Sequence, residues 1–427
     1  MTTLPPGDDI SLVDLDATGA NPHQRYERYR QAGRVIRTRL PGLPDDVHAW
    51  MVTRHRDLDQ LLHHPGVSRN WRNWHAYQQG RVPPDWPLRG MFMVDNMFTT
   101  DGDEHQRLRK QLTKTFTPRR VEAMTPDITR IVNDVLDQLE ALFATNGVVD
   151  LRAHFAYPIP MQVICTLLGI PEDRWSRLRT LVDVLLRTSN KNPASAEAFE
   201  RDRLALLEWL IDLRRSEAGP DLTSALIAEW DRTENRDLTH QQLVDTLWML
   251  VVAGHETTLS LLCNGVIALL THPAQRAAVT AAGGPDWSHA VEEILRWDGP
   301  VDHLVSGYTT TDIDVAGVRI PAGQLLLGLY ASVGRDPDQH GDTADTFNIV
   351  KHQLQDRRAH LAFGKGPHYC LGAPLARTEA RLALPALLDR WPNLTLAVPA
   401  DVLPQVPSMF SNCPKTVPVR PTPPRGC

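Results

Sequence analysis

The chain has 427 residues, 42% of them hydrophobic and 22% charged, and carries a net charge of −6. That composition supports a large buried core and excludes wholesale disorder. The acidic balance speaks against a general nucleic-acid binder. The first residues lack the basic start and apolar stretch of a secretory signal. The nearest candidate for a membrane span, residues 243–270, is interrupted by Asp245, His255 and Glu256. Five cysteines, at 165, 263, 370, 413 and 427, are widely spaced and form no CxxC pair. A disulfide framework or zinc cluster is therefore not expected. From these features we expect a soluble, cytoplasmic protein that engages neither membrane nor nucleic acid; a monomer is expected as well.

In chain order, Trp50-Met51-Val52-Thr53 reads as a strand and residues 57–63 as a short helix. Residues 70–100 form a long irregular stretch that holds Trp71, Trp74, Tyr77, Trp86, Phe92 and Met93. A loop of that length in a compact domain is usually functional, and its aromatic load points to a ligand. From Asp103 to about Leu270 apolar residues recur at helical spacing, as in Ile128, Ile131, Val132, Val135, Leu136 and Leu139. Thr239-His-Gln-Gln242 resembles a capping box and opens a helix that runs to Thr271, where His272-Pro273 stops it. At ~1.5 Å per residue this rod is about 48 Å long. Beyond Trp297, residues 312–329 alternate and turn like strands, a helix returns over 374–388, and the tail is proline-rich. The expected fold is mainly α with a smaller β-rich lobe, in a single domain over residues 1–427.

Four segments carry chemistry. Phe363-Gly-Lys-Gly-Pro-His-Tyr-Cys370-Leu-Gly372 presents one cysteine on a glycine-rich loop just before a helix. Helix-start amides favour a thiolate, which suits a metal ligand or a nucleophile, although a buried structural cysteine fits the segment too. Ala253-Gly-His-Glu256-Thr257 lies mid-helix, where glycine costs ~1 kcal/mol against alanine and so needs a reason. Small residues there leave room for a flat ligand. Thr257 can bond back to the Ala253 carbonyl, and Glu256 can relay protons. By themselves these two residues read more readily as a solvated pair. Glu293 and Arg296 share one helix face, as do His105 and Arg109, and both pairs alone look like ordinary polar surface.

Together these segments resemble the cytochrome P450 family over nearly the whole chain. The haem-ligand loop pattern Phe-Gly-x-Gly-x-His-x-Cys-x-Gly is met by Phe363, Gly364, Gly366, His368, Cys370 and Gly372. The resemblance implies the P450 fold, with the long central helix over haem b and Cys370 as the axial thiolate, which favours O–O cleavage. It further implies that Glu256 and Thr257 deliver protons during dioxygen activation, beside Ala253. His105, Arg109 and His368 would grip the haem propionates, and Glu293–Arg296 would be a buried ion pair. Two departures stand out. The segment that usually completes the ion pair with an arginine reads Phe347-Asn-Ile-Val-Lys351, and the strand position that usually carries a propionate-binding arginine is Gly307.

By resemblance the chain is a monooxygenase that hydroxylates or epoxidises a largely hydrophobic secondary metabolite, with electrons from a ferredoxin and its reductase. Oxidative coupling of an aromatic substrate, a haem-free recruitment scaffold and a haem-based sensor are the alternatives. Matching the family's pocket segments gives Met93, Val94, Met249, Val252, Val301 and Phe410 as substrate contacts. Lys365, Arg357, Arg358, Arg107, Lys110 and Lys114 are expected to form the donor's docking patch.

Overall fold

Apolar side chains at three- and four-residue spacing decide the helical part. The computed structural model describes residues 10–15, 22–86, 88–186, 193–232, 239–350 and 359–421. Helices relevant to the site are Gly102–Thr115 (α1), Thr125–Asn146 (α2), Pro158–Leu168 (α3), His240–Thr271 (α4), Trp287–Trp297 (α5) and Ala373–Arg390 (α6). Helix α2 buries Ile128, Ile131, Val132, Val135, Leu136, Leu139 and Phe143, all on one stripe. Each such side chain contributes roughly 1.5–3 kcal/mol relative to exposure. The capping box of α4 is complete: Gln242 N donates to Thr239 Oγ1 at 3.1 Å, and Thr239 N donates to Gln242 Oε1 at 3.0 Å.

Helix α4 runs unbroken for 32 residues and is apolar on nearly every side. It is long and apolar enough to cross a membrane, yet 72% of its most apolar window is buried inside the protein. A helix apolar all round is explained by neighbours on all sides, and here those include α3, α5 and α6. Gly265 is where they close in. A Cβ there would lie 3.0 Å from Leu384 of α6 and 3.2 Å from Ile294 of α5.

The β-rich lobe centres on strands Leu12–Asp14 (β1), Val35–Arg39 (β2), His48–Val52 (β3), Val67–Ser68 (β4), His303–Thr309 (β5) and Leu325–Leu329 (β6). Their order in the sheet is β1-β2-β3-β6-β5-β4. β3 and β6 run parallel, whereas β5 is antiparallel to both β6 and β4. The pairing of β5 with β6 slips between Val305 and Gly307. A second small sheet ties Pro418–Pro421 of the tail to Leu394–Leu396 and Val149–Asp150.

The aromatic stretch differs from its sequence reading. It folds into short helical turns, and Trp71, Trp74, Trp86 and Phe92 are buried in one core with Tyr308 of β5. Their rings touch in sequence, with centroids 5.9 Å apart for Trp74–Trp86 and 4.9 Å for Trp86–Phe92. Most of the aromatic load is therefore structural, because rings this large stabilise an otherwise irregular segment by filling its interior.

Candidate active site

The cysteine loop is shaped by its own backbone. Gly364 and Gly366 adopt φ values of 67° and 72°, a left-handed region that disfavours other residues. Cys370 N donates to Phe363 O at 2.9 Å and closes the loop. Helix α6 then starts at Ala373, so the amides of Gly372 and Ala373 bond the Cys370 thiol. Burial nevertheless pushes that thiol above its ordinary pKa, against the pull of those amides and of Arg109 and Arg377. The helix start alone thus does not produce the thiolate that the sequence suggested. Among the described cysteines, Cys165, Cys263 and Cys413 are fully buried, and Cys370 alone keeps accessible surface.

Behind the loop, Arg377 lies 4.4 Å from the centre of the Phe363 ring. Its guanidinium grips Glu292 of α5 through two bonds of 2.5 and 2.9 Å, and His360 meets the same carboxylate at 2.8 Å. Burial opposes ionisation of Glu292, but these bonds and charges outweigh it and hold the carboxyl at about 2. Nothing in the sequence marked this cluster.

Helix α1 brings two more predicted residues to the loop. Arg109 Nη2 donates to Tyr369 O at 2.7 Å, and His105 Nε2 lies 3.2 Å from Pro367 O. The His105 and His368 rings meet at a tilt of 49°, with centres 4.0 Å apart. Burial pushes His368 down to about 4, although Asp101, 3.7 Å away, opposes this. In the protein alone His368 is therefore neutral at pH 7, whereas the neighbouring Arg109 is cationic.

On α4, Thr257 Oγ1 donates to Ala253 O at 2.7 Å, as its spacing implied. Glu256 is buried rather than solvated: Ser411 Oγ donates to its Oε1 at 3.0 Å, and Ser260 Oγ bonds both Ser411 Oγ and Glu256 O. Val252, Ala253 and Thr257 keep partial exposure in the middle of this otherwise enclosed helix. Gly254 needs a correction. A Cβ there would lie 3.0 Å from Ile164 of α3, so this glycine admits a neighbouring helix rather than a ligand.

The proposed substrate contacts converge in part. Val301 bridges Ser411, Asp302 N donates to Phe410 O, and the Phe410 ring lies tilted against Phe92 with centres 5.8 Å apart. Met93 packs with Phe410 in one core, whereas Met249 and Val252 belong to the helical core and Met249 is 7% exposed. Val94 accepts a bond from Thr99 through its carbonyl, and its side chain stays partly exposed.

Glu293 and Arg296 form a bidentate pair of 2.7 and 2.8 Å, both side chains buried. Backbone completes it: Arg296 donates to the carbonyls of Gly334, Ala344 and Thr346, and Asn348 N donates to Glu293 at 2.6 Å. Lys351, Arg357 and Arg358 lie outside the described residues, as does the Lys114 side chain. Of the remaining docking charges, Lys365 is paired with Asp59 at 2.7 Å and Lys110 is exposed.

A haem needs one reachable sulfur donor and cations for its carboxylates, and the accessible Cys370 with Arg109 beside it fits both requirements. The Cytochrome P450 family model matches residues 50–210 and 287–412. A 2-hydroxy-5-methyl-1-naphthoate 7-hydroxylase of Streptomyces carzinostaticus is 37% identical, covering 95% of this chain and 96% of the relative. The cytochrome P450 monooxygenase PikC of Streptomyces venezuelae is 36% identical, covering 98% and 95%. Among solved structures, CYP154C4 from Streptomyces sp. W2061 superposes with a TM-score of 0.89 at 38% identity, covering 98% of this chain and all of that one. The glycine-shaped cysteine loop, the acid–alcohol pair and these full-length likenesses agree: the chain belongs to the cytochrome P450 family and is a haem-thiolate monooxygenase.

Proposed function

We propose that Cys370 is the axial thiolate and that the chain oxygenates a largely apolar secondary metabolite held between Met93, Val94, Met249, Val252, Val301 and Phe410. The observation that carries this reading is Cys370, the one described cysteine that keeps accessible surface, its thiol bonded by the Gly372 and Ala373 amides and flanked by Arg109 and Arg377. When bound, the haem supplies dioxygen activation. Thr257 and Glu256 move protons toward the reacting centre, with Ser411 and Ser260 holding the carboxylate. His105, Arg109 and His368 hold the carboxylates of the cofactor. Relatives named for hydroxylation of a naphthoate and for mycinamicin IV hydroxylation and epoxidation support oxygen insertion into such metabolites.

The same reading takes electrons from a ferredoxin and its reductase, places the protein in the bacterial cytoplasm as a monomer, and treats residues 1–427 as one domain. The exposed Lys110 favours an acidic donor. Oxidative coupling rested on the aromatic stretch, and that support is gone because those rings fill a core. Turnover under ¹⁸O₂ with a ferredoxin system separates the two reactions. One labelled oxygen in the product supports the proposal, and an unlabelled coupled product contradicts it.

A further inference from the structure

The cofactor's two carboxylates face a chain in which the strand β5 cannot help. Gly307 has a φ of 137°, and a Cβ there would lie 2.4 Å from Val67 Cγ1 and 2.8 Å from Ser68 O. No side chain fits at that position without moving β4. The cross-strand partner offers a cation instead. Ser68 pairs with Tyr308, so the next residue, Arg69, leaves β4 beside the bulge at Val305–Gly307.

Arg69 is fixed at three points. Its backbone N–H donates to both oxygens of Asp101, at 3.0 and 2.9 Å, and its Nη1 donates to the Val305 carbonyl. Asp101, which holds the Arg69 amide, lies 3.7 Å from His368 Nε2, so Arg69 stands between the cysteine loop and β5. Asp101, the carboxylate beside this group, bonds Ser68 Oγ at 2.5 Å and the Arg69 amide. Among the described residues no carboxylate pairs with the Arg69 guanidinium, whereas Arg72, three residues on, is neutralised by Asp95 at 2.8 and 3.0 Å. A partly buried guanidinium left with one carbonyl partner retains donors for an anion.

We propose that Arg69 is a carboxylate anchor for the haem, supplying from β4 the cation that Gly307 on β5 cannot carry. It joins His105, Arg109 and His368, so the cofactor's carboxylates are gripped from α1, the cysteine loop and the sheet. The inference rests on the haem-thiolate reading but concerns the cofactor's carboxylates rather than its iron.

The test compares holoenzymes of Arg69→Gln, Arg69→Lys and Arg72→Gln. Haem loss is timed by transfer to excess apomyoglobin, and reduction potential and the ferrous–CO spectrum are recorded. Arg69→Gln should keep the wild-type CO band, lose haem at least about tenfold faster, and show a lower potential. The potential falls because a nearby cation favours the less positive ferrous state. Arg69→Lys should recover most of both, and Arg72→Gln should match wild type. A folded Arg69→Gln protein that takes up no haem, with uptake restored by Lys, would support the anchor equally. Unchanged haem loss and potential in Arg69→Gln would overturn it, as would equal losses in Gln and Lys or failure of both to fold. A wild type without the thiolate CO band would defeat the Cys370 reading, while the haem-loss comparison would still judge Arg69.

Discussion

The cysteine loop and the middle of helix α4 face the same chemistry but are built differently. The loop is local: two left-handed glycines, a bond from Cys370 to Phe363 and the start of α6 shape it within ten residues. The acid–alcohol pair is half local. Thr257 bonds within its own helix, but Glu256 depends on Ser411, 155 residues later in the chain. A ligand must stand at one fixed place, and short-range backbone geometry fixes it. A proton donor must be buried yet supplied, and that requires partners from elsewhere in the fold.

Breaking the local half of the distal pair should have the largest effect on turnover. Thr257→Ala is expected to bind haem and substrate normally yet form product 10²–10⁴-fold more slowly, releasing peroxide instead. Wild-type coupling between NADPH used and product formed in that variant would contradict the role. The long-range scaffold is tested next by Glu293→Ala, which strands Arg296 and should cost about 3–5 kcal/mol. A melting temperature within a degree or two of wild type would show that the backbone carbonyls alone suffice.

Glu292 sharpens the contrast through pH. Its folded pKa of about 2 lies below the ordinary 4.5, so its stabilisation is complete above 4.5 and fades as pH falls toward 2. Glu292→Gln should therefore be roughly 3 kcal/mol less stable at neutral pH, with the gap closing between pH 4.5 and 2. A gap independent of pH would assign the loss to packing. The smallest effect belongs to Ser411. Ser411→Ala should lower coupled turnover about fivefold while leaving substrate affinity unchanged, and Ser411→Thr should restore it. Equal turnover in Ser411→Ala would free Glu256 from this partner.

Legibility followed the same division. The long helix, its capping box, the cysteine loop and the Thr257–Ala253 bond were readable because each is set by residues a few positions apart. The aromatic stretch misled because an irregular backbone gives no periodicity to say which rings point inward; four of them fill a core against β5. Gly254 misled for a related reason, since only tertiary packing shows that Ile164 occupies the space beside it. Ser411, Glu292, Arg377 and Arg69 carry no motif at all. Their roles come from chain crossings of 68 to 236 residues, as in Glu292–His360 and Arg69–Val305, and spacing along the chain cannot report such crossings.

The most direct measurement is the ferrous–CO spectrum of two cysteine variants prepared side by side. Cys263, fully buried on α4, packs as a small apolar residue, so Cys263→Ala should keep the strongly red-shifted thiolate band. Cys370→Ala should lose that band entirely. Retention of the band in Cys370→Ala, or its loss in Cys263→Ala alone, would contradict the assignment of Cys370 as the iron's ligand.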